Sequence, residues 1–161
     1  MFREMRRVKQ LLSNDEAIEI LNKCSSGVLG VHGDDGYPYT VPLSYAYKDD
    51  KLFFHCAIEG HKIDSIKKND KVTFSVIERD NVIQESFETH YRSVIIFGRA
   101  RILTDDFEKR NALKLLVEKY SPDYKEKGQN AIENGLSRVC IIEVKIEHMT
   151  GKAASGIVNN R

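Results

Sequence analysis

The sequence predicts a mostly β fold, six antiparallel strands forming a small barrel with helices at its periphery. Runs of alternating bulky and small residues recur between turn-forming clusters, as in half-buried antiparallel strands. Only one short helical stretch, 61–68, interrupts the strand run, whereas a parallel sheet needs a helix between most of its strands. A chain of 161 residues without repeats or an evident linker suits one hydrophobic core, so a single domain over 1–161 is expected.

Composition narrows the class. With 41% hydrophobic and 30% charged residues the chain lies well away from sequences that stay disordered. A formal net charge of +1 gives no global electrostatic support for binding nucleic acid or a membrane surface. Three widely spaced cysteines argue against a disulfide framework and for a reducing compartment, with the cytoplasm as the expectation. The segment MFREMRRVKQLL lacks the apolar core of a signal peptide, and no run approaches the ~18 apolar residues of a membrane span.

In chain order, Ser13-Asn14-Asp15-Glu16 has the form of a capping box and opens a helix to about Lys23. Two β-rich runs then flank Gly33-Asp34-Asp35-Gly36, a hairpin whose second arm alternates Tyr39, Val41, Leu43, Tyr45 and Tyr47 with smaller residues. Lys48 to Lys51 turns into the strand LFFHC, and a helix follows on which Ile63 and Ile66 face inward. KVTFSVIE is a half-buried strand, Arg79 to His90 reads as a polar loop, and YRSVIIFGRARIL is the longest strand, with Gly98 marking a bulge or bend. Thr104-Asp105-Asp106 caps a helix with Leu113, Leu116, Val117 and Tyr120 along one stripe, ended by Ser121-Pro122. A weak helix within a loop is expected over 123–137, then the strand RVCIIEVKIE and an extended tail, HMTGKAASGIVNNR.

Two features point to chemistry. Pro42 cannot donate to a ladder, so its strand is locally unpaired, leaving free backbone groups between Thr40 and Ser44 for a flat ligand; the plainer reading is an edge strand guarded by proline. Gly60-His61-Lys62 opens a helix, and its free N–H groups with the Lys62 ammonium would suit a phosphate, helped by His55 and Ser65. His55, Cys56 and His61 are too few to bind zinc, because neighbouring strand residues point to opposite faces. Cys24 and Cys140 read as core thiols, and no nucleophile motif, dinucleotide fingerprint or Walker sequence is present. Arg92 is an edge charge or, with Ser93, faces a ligand or partner.

The runs GYPYTVPLSYAY, LFFHCAIEGHKIDSIKKNDKVTFSV and YRSVIIFGRARIL resemble, over roughly residues 5–155, the pyridoxamine 5′-phosphate oxidase-like flavoproteins of the FMN-binding split barrel, in particular the 5-nitroimidazole reductase (Nim-type) branch. The resemblance implies FMN at the interface of a homodimer. The isoalloxazine would lie along Thr40, Val41, Pro42, Leu43 and Ser44, and the phosphate at His61 and Lys62. His55, Cys56 and Ala57 would line the ribityl chain, with Ser93 near the flavin. A phosphate seat of this kind also admits FAD. His61 replaces the second basic residue of the true oxidases and the tail lacks their arginine-rich end, which argues against vitamin B6 oxidation. The expected activity is reduction of a small acceptor, such as a nitroimidazole or other nitroaromatic, with reduced nicotinamide as a donor and no side-chain nucleophile. The alternative is a non-catalytic flavin or haem carrier, with His55, His61 or His90 as axial ligand.

Overall fold

The computed structural model describes residues 1–158. Helix α1 (Asn14–Lys23) begins at the capping box: Ser13 Oγ accepts from Glu16 N–H at 3.2 Å, and the Glu16 carboxylate accepts from Ser13 N–H at 2.8 Å. Strands β1 (Ser26–His32) and β2 (Pro38–Ser44) form the predicted hairpin, with Asp35 (φ 54°) and Gly36 (φ 78°) making its turn. Then come β3 (Ala46–Lys48), β4 (Lys51–Cys56), α2 (His61–Lys68), β5 (Lys71–Ile83), β6 (Glu88–Ile102), α3 (Asp106–Tyr120), α4 (Lys125–Gly135), β7 (Cys140–Ala153) and α5 (Ser155–Val158).

These strands make one antiparallel sheet of seven, ordered β2-β1-β5-β6-β7-β4-β3, rather than the expected six, and the sheet does not close. The extra strand arises because the 39–47 run breaks at Tyr45. Its first part pairs with β1 and its second with β4, so one stretch of chain supplies both edges of the sheet.

The alternation read from the sequence governs the packing. Tyr45, Phe54 and Phe74 are fully buried and meet edge to face, with ring centroids 5.0 and 5.1 Å apart. Ile20 and Leu21 of α1 and Ile63 and Ile66 of α2 enter this core. Gly98 lies at a register shift opposite β7, as its place in the strand suggested: a Cβ there would sit 2.4 Å from the Lys145 carbonyl oxygen.

Three expectations are corrected. The 79–90 segment is not a loop, because β5 and β6 continue past the sheet and pair with each other out to Ile83 and Glu88, forming a ribbon capped by Phe87 (φ 55°). Residues 125–135 form a full helix, stabilised by burial of Ile132. The tail continues β7 to Ala153 and then turns into α5, because its ladder with β6 runs on to Arg92↔Ala153. Its last three residues lie outside the described region. No helix among the described residues is long and apolar enough to cross a membrane.

Glu143 ties β7 to its neighbours. Its carboxylate accepts from Arg101 at 2.7 and 3.1 Å and from Lys51 at 3.1 Å, and Arg101 reaches on to Glu108 of α3 at 2.6 Å. Burial pulls the Glu143 pKa up, but the bonds from Arg101 and Lys51 outweigh it and hold the carboxyl below its ordinary value. A carboxyl lowered on folding stabilises above its unfolded pKa of about 4.3 and loses that stabilisation as pH falls through the lower folded value. Glu143→Gln is expected to lose about 1–3 kcal/mol at neutral pH by urea denaturation, with Arg101 and Lys51 still reaching water. The gap to wild type should narrow as pH is lowered to about 3.

Candidate functional site

The break at Tyr45 creates an opening. Running the Ala46↔Phe53 pairing back along the chain would set Ser44 opposite His55 and Pro42 opposite Ala57, but the β3–β4 ladder stops at Ala46 and the two banks part. Both ends of this split are marked by contacts. At one, Ser44 and His55 line the same cleft; at the other, the His61 ring lies 4.1 Å from the ring of Tyr39.

On the β2 bank, Pro42 is paired with Val28 across β1, so the strand is not unpaired on that side. The hydrogen bond from Gly33 N–H to the Tyr37 carbonyl sets the ladder's alternation, so that residues 39, 41 and 43 bond to β1. Thr40, Pro42 and Ser44 therefore direct their backbone groups into the split. Proline fits there because its missing donor faces no strand. Val41 and Leu43 turn their side chains onto the core, while Thr40, Pro42 and Ser44 are exposed.

On the other bank, β4 ends in His55, exposed, and Cys56, half-buried, followed by exposed Ala57. Gly60 (φ 130°) turns the chain into α2, and its carbonyl accepts from Ile63 and Asp64, leaving the N–H groups of His61 and Lys62 outside the helical ladder. The two residues behave differently. His61 Nε2 lies 3.5 Å from the Asp34 carboxylate, which also takes Lys68 at 3.0 Å. The Lys68 hydrogen bond, then its charge and that of His61, hold Asp34 below the usual carboxylate range. Lys62 has no ion-pair partner among the described residues, and its charge favours the Cys56 thiolate. Burial and Cys140 push the Cys56 thiol up to about 11, against the opposing charge of Lys62.

At the Ser44 end, Tyr120 was read from the sequence only as the last residue of an apolar stripe. Its hydroxyl accepts from Tyr45 N–H at 2.8 Å, and its proton lies between the carbonyls of Tyr45 (2.7 Å) and Ser25 (2.6 Å). It replaces the ladder where the strand breaks. Beyond it opens an apolar cleft of about 360 Å³ between α3 and α4, floored by Leu116, Val117, Ala131 and Ile132 with Ser44, His55 and Tyr120 at its polar end. Next to Tyr120, burial lowers the Lys119 ammonium to about 8, and it rests 3.9 Å over the Tyr45 ring.

Not every candidate comes to the split. Ser93 pairs with Ile77 and Lys152 on β6, three strands from β2, on the outer face with Ile95 and Phe97. Arg92 does not face the split either; it bridges Glu19 of α1 at 3.5 Å and Glu78 at 3.7 Å. His90 belongs to the β5–β6 ribbon, beside Glu88. No cluster of three or more metal-binding side chains occurs among the described residues.

The model of the pyridoxamine 5′-phosphate oxidase family matches residues 13–153. No curated protein matches the chain. Among solved structures, a candidate 5-nitroimidazole antibiotic resistance protein from Bacteroides thetaiotaomicron is similar at TM-score 0.73 and 23% identity, over 89% of this chain and 86% of that one. An FAD-binding protein from Mesorhizobium loti is similar at TM-score 0.62 and 26% identity, over 91% and 98%. An FAD- and haem-binding protein from Mycobacterium smegmatis reaches TM-score 0.78 at 19% identity, over 92% and 74%.

Tyr120→Phe strands the Tyr45 N–H at the break. A loss of about 1–3 kcal/mol is expected in chemical denaturation, the scale of an unsatisfied buried donor.

Proposed function

Because the chain belongs to the pyridoxamine 5′-phosphate oxidase family, we propose that it is a flavin-dependent oxidoreductase holding FMN in the split between β2 and β4. The observation that carries this reading is the free β2 edge beside the start of α2, where His61 meets Tyr39 and the next residue, Lys62, has no ion-pair partner among the described residues. The backbone groups of Thr40, Pro42 and Ser44 complement a ring edge that alternates N–H and C=O. Val41 and Leu43 bond to β1 through their backbone and pack on the core, so they hold the strand in place rather than touch the ring. Lys62 and the free N–H groups of α2 take the phosphate. His61 is held at Tyr39 and Asp34, so it serves chiefly to wall the site. His55, Cys56 and Ala57 line the opposite bank along the ribityl chain.

The bound flavin supplies the electron transfer, and the protein supplies orientation and exclusion of water. The apolar cleft beside Ser44 and His55 offers room for a small planar acceptor. A nitroimidazole or other nitroaromatic is the proposed acceptor class, reduced at the expense of a nicotinamide donor; the likeness to the Bacteroides protein supports this choice. A homodimer completes the site. The outer face carries exposed Val28, Ile77, Ile95 and Phe97 around Ser93, and a second copy seated there would bring its own Ser93 toward the flavin.

The purified protein is expected to show flavin absorption, mass identification of the released cofactor as FMN, and anaerobic reoxidation by a nitroimidazole. A Soret band without flavin would instead favour a haem carrier. Lys62→Ala should weaken FMN binding by about 1.5–3 kcal/mol, roughly 10- to 150-fold in Kd by titration; unchanged affinity would remove the phosphate from this place. Light scattering should report a dimer, and a monomer retaining flavin would contradict the shared site.

A further inference from the structure

Cys56 ends β4 and Cys140 opens β7, and the register makes them direct cross-strand partners. The bond from Ile146 N–H to the Asp50 carbonyl sets the alternation of this ladder and makes 56/140 a hydrogen-bonded pair. Such pairs have Cα atoms about 5.5 Å apart, inside the roughly 4.4–6.8 Å range that a disulfide spans. Both side chains project to the core side, continuing the buried series Leu52, Phe54 on β4 and Ile142, Val144 on β7. Both are free thiols. They differ in access, since Cys56 is half-buried and Cys140 is buried.

We propose that Cys56 and Cys140 form a reversible dithiol–disulfide site for low-molecular-weight disulfides, with Cys56 the attacking sulfur and Cys140 the resolving one. The Cys56 thiolate attacks one sulfur of the oxidant, forms a mixed disulfide and releases one small thiol. The Cys140 thiolate then attacks the Cys56 sulfur, closing the protein disulfide and releasing the second small thiol. Two cysteine S–H bonds are lost, two electrons pass to the oxidant, and its S–S bond is reduced to two thiols. The Lys62 charge on α2 favours the Cys56 thiolate, while burial and Cys140 of β7 oppose it. Cys56 therefore rests as a thiol near neutral pH, and its attack accelerates with alkali.

The test is incubation of the full chain with oxidised glutathione, followed by unfolding and alkylation. Free thiols should fall from three to one. The intact mass should drop by about 2 Da. A Cys56–Cys140 cross-linked peptide should appear and vanish on reduction with dithiothreitol. The initial rate should rise about tenfold per pH unit between about 7 and 10. Cys24→Ser should close equally well, and Cys140→Ser should stop at glutathione on Cys56. A wild-type chain that accumulates a stable mixed disulfide, pairs Cys24 instead, or keeps all its thiols at pH 9 would overturn the proposal. A rate independent of pH would overturn the role given to Cys56.

Discussion

The architecture depends on how one residue is held. Tyr45 carries the chain from one edge of the sheet to the other. It has no strand partner, is fully buried, and is fixed at both polar ends: its hydroxyl donates to the Leu21 carbonyl at 2.8 Å, and its backbone is met by the Tyr120 hydroxyl. Burial in the core drives the Tyr45 phenol far above its ordinary pKa, so it stays a neutral donor throughout the stable pH range. Helices α1 and α3 thus converge on a point where the sheet does not satisfy its own backbone.

The opening follows from that crossing. A strand that serves both edges must leave one partner to join the other, and the chain leaves β1 after Ser44 and joins β4 only at Ala46. What remains is an edge that is protected from aggregation by the proline and by the close approach of α2, yet open to a ligand. Two cations of α2 share one carboxylate there, Lys68 and His61 both lying at Asp34. Lys62 is left with its charge available at the split.

Much of this was readable in the residues. The S-x-x-E box located α1, alternation gave the strands, Gly98 marked its bulge, and Pro42 pointed to the free edge. The break at Tyr45 was not readable, because Tyr39 to Tyr47 alternates without interruption and only tertiary contacts from Leu21 and Tyr120 stop the ladder. The same limit hid Tyr120, whose hydroxyl looks incidental at the end of an apolar helix stripe. The polar composition of 79–90 suggested a loop, since a two-stranded ribbon clear of the core needs no inward-facing apolar series. Likewise, His61 could not be assigned to Asp34 and Tyr39 from sequence, because the hairpin turn and the helix meet only in three dimensions.

The ribbon has a consequence for how such a molecule changes over time. Beyond Tyr91 its strands pair only with each other, and Phe87 at its tip is 97% exposed. It can fray, lengthen or shorten without disturbing the aromatic core, and the entropy of a longer connection grows only slowly with length. The packed sheet and the ribbon are therefore separable in evolution: one is constrained by packing, and the other is free to explore new reach while the scaffold stays the same.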